Sequence, residues 1–405
     1  MKNSKFKKIM LIVSLLALNI VEQAASVISA AIPQMAKAFP DHSQVQIEMI
    51  TTIVSMFVTI FVLISGLIVN KLGQKRTAVL GIAIAAVSSI IPAFSNSFNM
   101  IMASRAVLGV GIGLANPLAV SLIGEFFEGD FLAHLMGWRA AASGIGTSLM
   151  TLMAGQLLKI SWHAAYLVYL LFVPTLLFFI FFVPDPEKAG LKTKAAGETD
   201  QAAESPAEEP AEKHARAKVI FYAAVLFAFF SGVMVAMVKL ATMYVENGVG
   251  TPSQASTVFA CLNFAQLLGG LVFGVLYKFL KSKILPLGIL LSGLTLIAMA
   301  MTTSNGVMIA LGVASGFFGG VSIPYIFTRV SQLSVTRTAP MNNALVLVGS
   351  NIGSFLAPYT ASLLGKTAAM SIRNAGLALI VIAAIVLVAL LAVKKNSSSQ
   401  ALANK

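Results

Sequence analysis

Glu22 is the one carboxylate in this chain that falls near the middle of an apolar run. The other fourteen of its fifteen acids lie in polar stretches or at the ends of such runs. An acid in apolar surroundings is costly to keep ionised, and protonation relieves that cost, so the group reads as a proton carrier. Arg105 sits in a second apolar run. If both runs cross a bilayer, Glu22 lies roughly 20 Å from one boundary at a helical rise of 1.5 Å per residue. Arg105 lies roughly 22 Å from the same boundary of a core roughly 30 Å thick. At one depth the two can pair while Glu22 is ionised and part when it takes up a proton. A static ion pair that only fixes packing is the plainer alternative, but apolar packing could replace it at little cost.

Asn19, Gln23 and Ser26 follow Glu22's helical spacing and share its face in a continuous helix. Other polar positions recur within apolar runs: Thr52, Ser55 and Thr59, then Asn116, then Arg139, Ser143, Thr147 and Thr151, then Asn263 and Gln266, then Asn343, Ser350, Asn351 and Ser354. Serine and threonine hydroxyls can bond their own helix backbone, so the amides carry more of the argument. Phe227, Phe229, Phe230, Met234 and Met237 form a deformable apolar wall suited to varied ligands. The expected substrate cavity comprises Asn19, Gln23, Ser26, Asn116, Ser143, Thr147, Phe230, Met234, Asn263, Gln266 and Asn351. Such a lining suits an amphipathic organic molecule better than a sugar, which needs many more hydrogen-bonding groups. Lys239 is expected to snorkel to an interface rather than bind anything.

Composition says what must position these residues. With 58% hydrophobic and 11% charged residues over 405 positions, and a mean hydropathy of +0.88, the chain is a multispanning membrane protein. Runs of membrane-crossing length occupy 9–32, 46–69, 77–95, 100–123, 138–158, 163–183, 219–245, 253–277, 284–303, 307–327, 340–364 and 371–393. The third, sixth, ninth and twelfth are almost purely apolar, as lipid-facing helices would be. Asn19, Glu22 and Gln23 interrupt the first run, and eleven more follow, so it is no secretory signal. Most Lys and Arg fall in loops on one side, which places both termini in the cytoplasm of a cell-membrane protein. The net charge of +13 then reflects topology and attraction to membrane lipids, not a nucleic-acid partner.

The single cysteine, Cys261, excludes an intramolecular disulfide and a cysteine zinc site. No G-x-x-x-x-G-K-[ST] run or H-E-x-x-H occurs, and the four histidines are dispersed. The reading is no enzyme, no cofactor and no metal. One polar stretch, 184–218, rich in Ala, Glu, Lys and Pro, reads as a disordered or partly helical cytoplasmic linker. It separates an N-terminal six-helix bundle, 1–183, from a C-terminal one, 219–395, with a tail at 396–405. The halves repeat at an offset of about 205 residues: Gly66 to Val69 falls on Gly270 to Phe273, Gly109, Gly113 and Pro117 fall on Gly316, Gly320 and Pro324, and Gly146 falls on Gly353. The expected fold is all-α, twelve transmembrane helices in two bundles related by a pseudo-two-fold axis.

The run G-L-I-V-N-K-L-G-Q-K-R, Gly66 to Arg76, resembles the loop signature of the major facilitator superfamily. Gly66 and Gly73 stand at its glycine positions and Lys71, Lys75 and Arg76 at its basic ones. Asn70 stands where the signature has an acid. R-A-V-L-G-V-G-I-G, Arg105 to Gly113, is similar to a second signature, and Gly109, Gly111 and Gly113 would also admit a close helix neighbour. The proline of the antiporter signature is missing from S-G-I-G-T-S-L-M, Ser143 to Met150. The resemblance implies alternating access and, for the span-four arginine, a part in proton transfer. The leading expectation is proton-driven export of drugs or amphipathic metabolites by a monomer. The alternatives are uptake or facilitated passage of an organic anion or similar metabolite, and a transport-dead membrane receptor or scaffold.

Overall fold

The computed structural model describes residues 2–22, 24–186, 210–334 and 339–403, and the side chain of Glu22 lies outside what it describes. Among the described residues there is no strand. Helices α1 (Lys2–Glu22), α2 (Ile32–Ala38), α3 (Gln44–Leu72), α4 (Gln74–Ile90), α5 (Phe98–Phe126), α6 (Gly129–Leu157), α7 (Trp162–Ala165) and α8 (Phe172–Phe182) form the first half. Helices α9 (Pro210–Glu246), α10 (Pro252–Leu280), α11 (Ile284–Met301), α12 (Asn305–Leu333), α13 (Ala339–Leu364) and α14 (Ala368–Ala403) form the second. Polar residues fix several starts. Ser43 and Gln46 make a reciprocal capping box for α3, and the hydroxyls of Ser97 and Ser161 accept from the first turns of α5 and α7.

Nine segments of the described chain are long and apolar enough to cross a membrane, and one of them, Pro252–Met301, contains both α10 and α11. With α1 and α6, whose polar residues dilute their apolar character, they make up the twelve expected spans. The chain divides into two compact units, Met1–Glu208 with Thr251–Ala260, and Glu209–Gly250 with Cys261–Lys405.

Each unit is held by glycines at helix crossings, and the two sets of crossings correspond. A methyl at Gly109 of α5 would lie 2.6 Å from the Val54 carbonyl of α3, and one at Gly113 would lie 2.9 Å from that of Val58. In the second unit Gly316 and Gly320 of α12 press on the carbonyls of Leu262 and Gln266 of α10. Gly81 meets Gly111 and Ala115, while Gly288 meets Phe318 and Ser322; Gly146 meets Ile20, while Gly353 meets Phe227. Small residues let backbones approach in lipid, where no hydrophobic force drives helices together. α5 and α12 match at an offset of 207 residues and α3 and α10 at 208, each 29 residues long.

Two expectations need correction. The first span is not one helix: α1 ends at Glu22, and short 3₁₀ turns, Ala24–Ser26 and Ser29–Ala31, precede α2. Ser26 is therefore off the helical face that spacing gave it, and Gln23 lies outside the described residues. Within the stretch 184–218, α9 begins at Pro210; residues 187–209 are not among those described. The tail from 396 continues α14 to Ala403, in keeping with the modest helical cost of its residues. Second, helix register matches Gly66 with Gly274, not Gly270, and both face open space among the described residues.

Candidate functional site

Among the described residues of the first unit, Arg105 is the largest fully buried side chain. Three elements hold it. Its Nε donates to the Ile50 carbonyl of α3 at 3.1 Å, its Nη1 to the Tyr169 hydroxyl at 3.2 Å, and its Nη2 to the Ala25 carbonyl at 2.6 Å. The rings of Tyr166 and Tyr169 lie 6.0 and 5.6 Å from the guanidinium carbon, within cation–π reach. The break in the first span makes the Ala25 contact possible, since carbonyls past a helix end lack an intrahelical donor. Irregular backbone at membrane depth is tolerated where protein buries it. Among the described residues every hydrogen bond of Arg105 goes to a neutral acceptor. Its pairing with Glu22, expected from depth, falls on a side chain outside the described residues, although Glu22 ends α1 three positions before Ala25.

Asn19 is fully buried, and its amide nitrogen turns back to the Leu15 and Leu16 carbonyls at 3.1 and 3.2 Å. Its Oδ1 has no hydrogen-bond partner among the described residues. Thr147 is buried with its hydroxyl on the Ser143 carbonyl, and Thr151 repeats the pattern on Thr147. These hydroxyls are satisfied within their own helix. Asn116 and Ser143 are half-buried. In the second unit Phe230, Met234, Asn263, Gln266 and Asn351 are also half-buried, and no hydrogen bond among the described residues links the three amides.

The signature loop is anchored by its glycine turn. Gly73 has φ 81° and ψ 161°, beyond the ordinary range of other residues, and its carbonyl accepts from both the amide and the hydroxyl of Thr77. Asn70, Lys71 and Arg76 are exposed, and Lys75 donates to the Ile180 carbonyl at 3.0 Å. Gln74, not singled out by its sequence context, is a buried polar side chain of this run. Its amide donates to Glu125 at 3.2 Å and accepts from the Ser121 hydroxyl at 3.1 Å.

Two charged residues depart from expectation. Glu48, placed near a surface by its position at a span end, is fully buried and accepts from Gln44 Nε2 at 2.8 Å. Lys239 does not snorkel. It is 8% exposed, flanked by buried Val238 and Leu240, and it stands seven residues, or about 10 Å, short of the end of α9. Tyr169, the hydroxyl partner of Arg105, had no polar neighbour in sequence to announce it. No group of His, Cys, Asp and Glu among the described residues could hold a metal ion.

The sequence profile of the Major Facilitator Superfamily matches residues 14–250 and again 234–405. The chain is 26% identical to the 3-(3-hydroxy-phenyl)propionate transporter of Escherichia coli over 78% of this chain and 75% of that protein. It is 29% identical to the bacillibactin exporter of Bacillus subtilis over 26% of this chain and 27% of that one. It is also 29% identical to the multidrug efflux pump LfrA of Mycolicibacterium smegmatis, over 35% and 29%. Among solved structures, the peptide transporter POT in complex with sulfate superposes with a TM-score of 0.77 at 14% identity, over 93% of both chains. The xylose transporter XylE of E. coli, in a partially occluded inward-open conformation, gives 0.69 at 14%, over 93% and 96%. With a family profile covering both halves and the same fold in solved members, this chain belongs to the Major Facilitator Superfamily and is a multi-pass membrane transporter.

Proposed function

We propose that this protein is a proton-driven exporter of an amphipathic organic molecule, with Glu22 as proton carrier and Arg105 as its partner. The observation that carries the reading is the burial of Arg105 among neutral acceptors. A guanidinium buried among neutral acceptors attracts an anion. Glu22, on the helix that ends beside it, can supply one, and a proton on Glu22 withdraws it. Two states that differ in proton occupancy are what coupling to a gradient needs. The exporter and efflux relatives support the outward direction. The test is substrate accumulation in energised everted vesicles, with a fluorescent probe of internal pH. Substrate-evoked proton efflux is expected, and accumulation without proton movement would end the proposal.

A second reading rests on a different observation. The relative that spans most of the chain carries the name of an aromatic carboxylate transporter. In that reading the substrate's own carboxylate takes the place beside Arg105, and transport runs inward. Accumulation of a phenylpropionate in right-side-out vesicles, absent from everted ones, would favour it.

A further inference from the structure

The second unit has a cavity of about 430 Å³, within the range of roughly 300–1,000 Å³ usual for small-molecule sites. Tyr277, Lys278, Lys281, Ser282, Tyr325 and Arg329 line it, three cations with no acid among them. We propose that this cavity, where the turn from α10 to α11 meets the end of α12, binds a phosphate-bearing anion.

The corresponding place in the first unit shows that the cavity is not a by-product of the fold. At the offsets of 207 and 208 residues, Tyr277, Tyr325 and Arg329 replace Val69, Leu118 and Leu122, all three buried and apolar. Lys278 replaces Asn70, and Gln332 replaces Glu125. The first unit closes this corner with apolar packing and with Gln74 bonded to Glu125. The second has removed the acid, added cations and left space.

Lys281 carries the argument further. It corresponds to Gly73, the turn residue with φ 81°, and keeps the left-handed backbone with φ 47°. Among the described residues it is the one position with positive φ that is not glycine. Glycine adopts that conformation without penalty and lysine does not, and such outliers mark places where a side chain is wanted. Arg329 is held facing the cavity. Its Nη1 donates to Gln332 Oε1 at 2.8 Å, Tyr222, Tyr277 and Tyr325 surround it, and its buried Nε has no hydrogen-bond partner among the described residues. Two ammonium groups, a fixed guanidinium fork and the hydroxyls of Tyr277 and Ser282 match the oxygens of a phosphate. The phosphate could arrive on a lipid headgroup or on a soluble compound.

The experiment uses the full chain in nanodiscs and reads its melting temperature. One arm compares phosphatidylcholine with and without phosphatidylglycerol, and the other adds glycerol 1-phosphate to phosphatidylcholine discs. The wild type is expected to gain several degrees in one arm, and that arm identifies the source. Lys281→Gly, which relaxes the turn and should fold at least as well, and Arg329→Gln are each expected to lose most of the gain. Lys283→Gln removes the same charge two residues away, outside the cavity lining, and should keep it. No gain in either arm, or a gain that Lys283→Gln reduces as much as Lys281→Gly does, overturns the proposal.

Discussion

Arg105 Nη1 and the hydroxyl of Tyr169 lie 3.2 Å apart, joining α5 to the 3₁₀ segment Tyr166–Leu171 inside the first unit. A hydrogen bond to a charged donor is worth about 1.5–3 kcal/mol. Tyr169→Phe removes the acceptor and keeps the ring, so it should destabilise the detergent-solubilised protein by that amount while preserving the fold. Arg105→Lys should lose more, because a point charge cannot reach the Ile50 and Ala25 carbonyls and Tyr169 at once. Wild-type melting of both variants would show that these contacts do not hold the unit together.

For coupling, Glu22→Gln keeps the site permanently neutral. One pH unit of gradient is worth about 1.36 kcal/mol per proton, or about tenfold in accumulation. The variant should lose that factor in everted vesicles and still bind substrate in detergent. Glu48, buried in the same unit, is the comparison. If Glu48→Gln loses gradient-driven accumulation and Glu22→Gln keeps it, the proton carrier has been misassigned.

The crossings make a sharper distinction among glycines. Gly109→Ala brings its methyl within 2.6 Å of the Val54 carbonyl and 2.7 Å of Phe57 Cβ, an overpacking that should cost about 1–3 kcal/mol. Gly66→Ala meets open space and should be neutral or stabilising by up to about 1 kcal/mol, the helix penalty of glycine. Thermal loss of the monodisperse peak measures both, and equal losses would contradict the packing described.

Orientation can be read by labelling. From the distribution of basic residues we propose that both termini lie in the cytoplasm. On a Cys261→Ala background, cysteines at Ser97 and Gly248 should react with an impermeant thiol reagent added outside intact cells, and a cysteine in the linker should not. The reverse pattern would invert the topology.

Much of this was legible in the sequence, because a bilayer leaves few choices. Apolar run length gave the spans, and the spacing of Gly109, Gly113 and Pro117 against Gly316, Gly320 and Pro324 gave the repeat. Other features depended on tertiary partners that no spacing reports. The break after Glu22 leaves a free carbonyl at Ala25, and Arg105 takes it. Glu48 looked superficial from its position at a span end, and Lys239 looked long enough to reach water, but neighbouring helices bury both. Gly66 matched a signature while its surroundings leave room for a side chain. Lys281 became conspicuous only once backbone geometry showed that it shares a positive φ with Gly73, its counterpart in the repeat.

The interruption of the first span also has an electrostatic consequence. A helix carries about half a negative elementary charge at its C-terminal end, spread over carbonyls without partners. Because α1 stops at Glu22 in mid-span, that end falls inside the first unit, and the Ala25 carbonyl just past it touches Arg105. The guanidinium therefore has a permanent, unprotonatable counter-charge built from backbone. Under the proposed coupling, a carboxylate that joins or leaves the guanidinium would do so on top of that constant field, and only the acid would have to change.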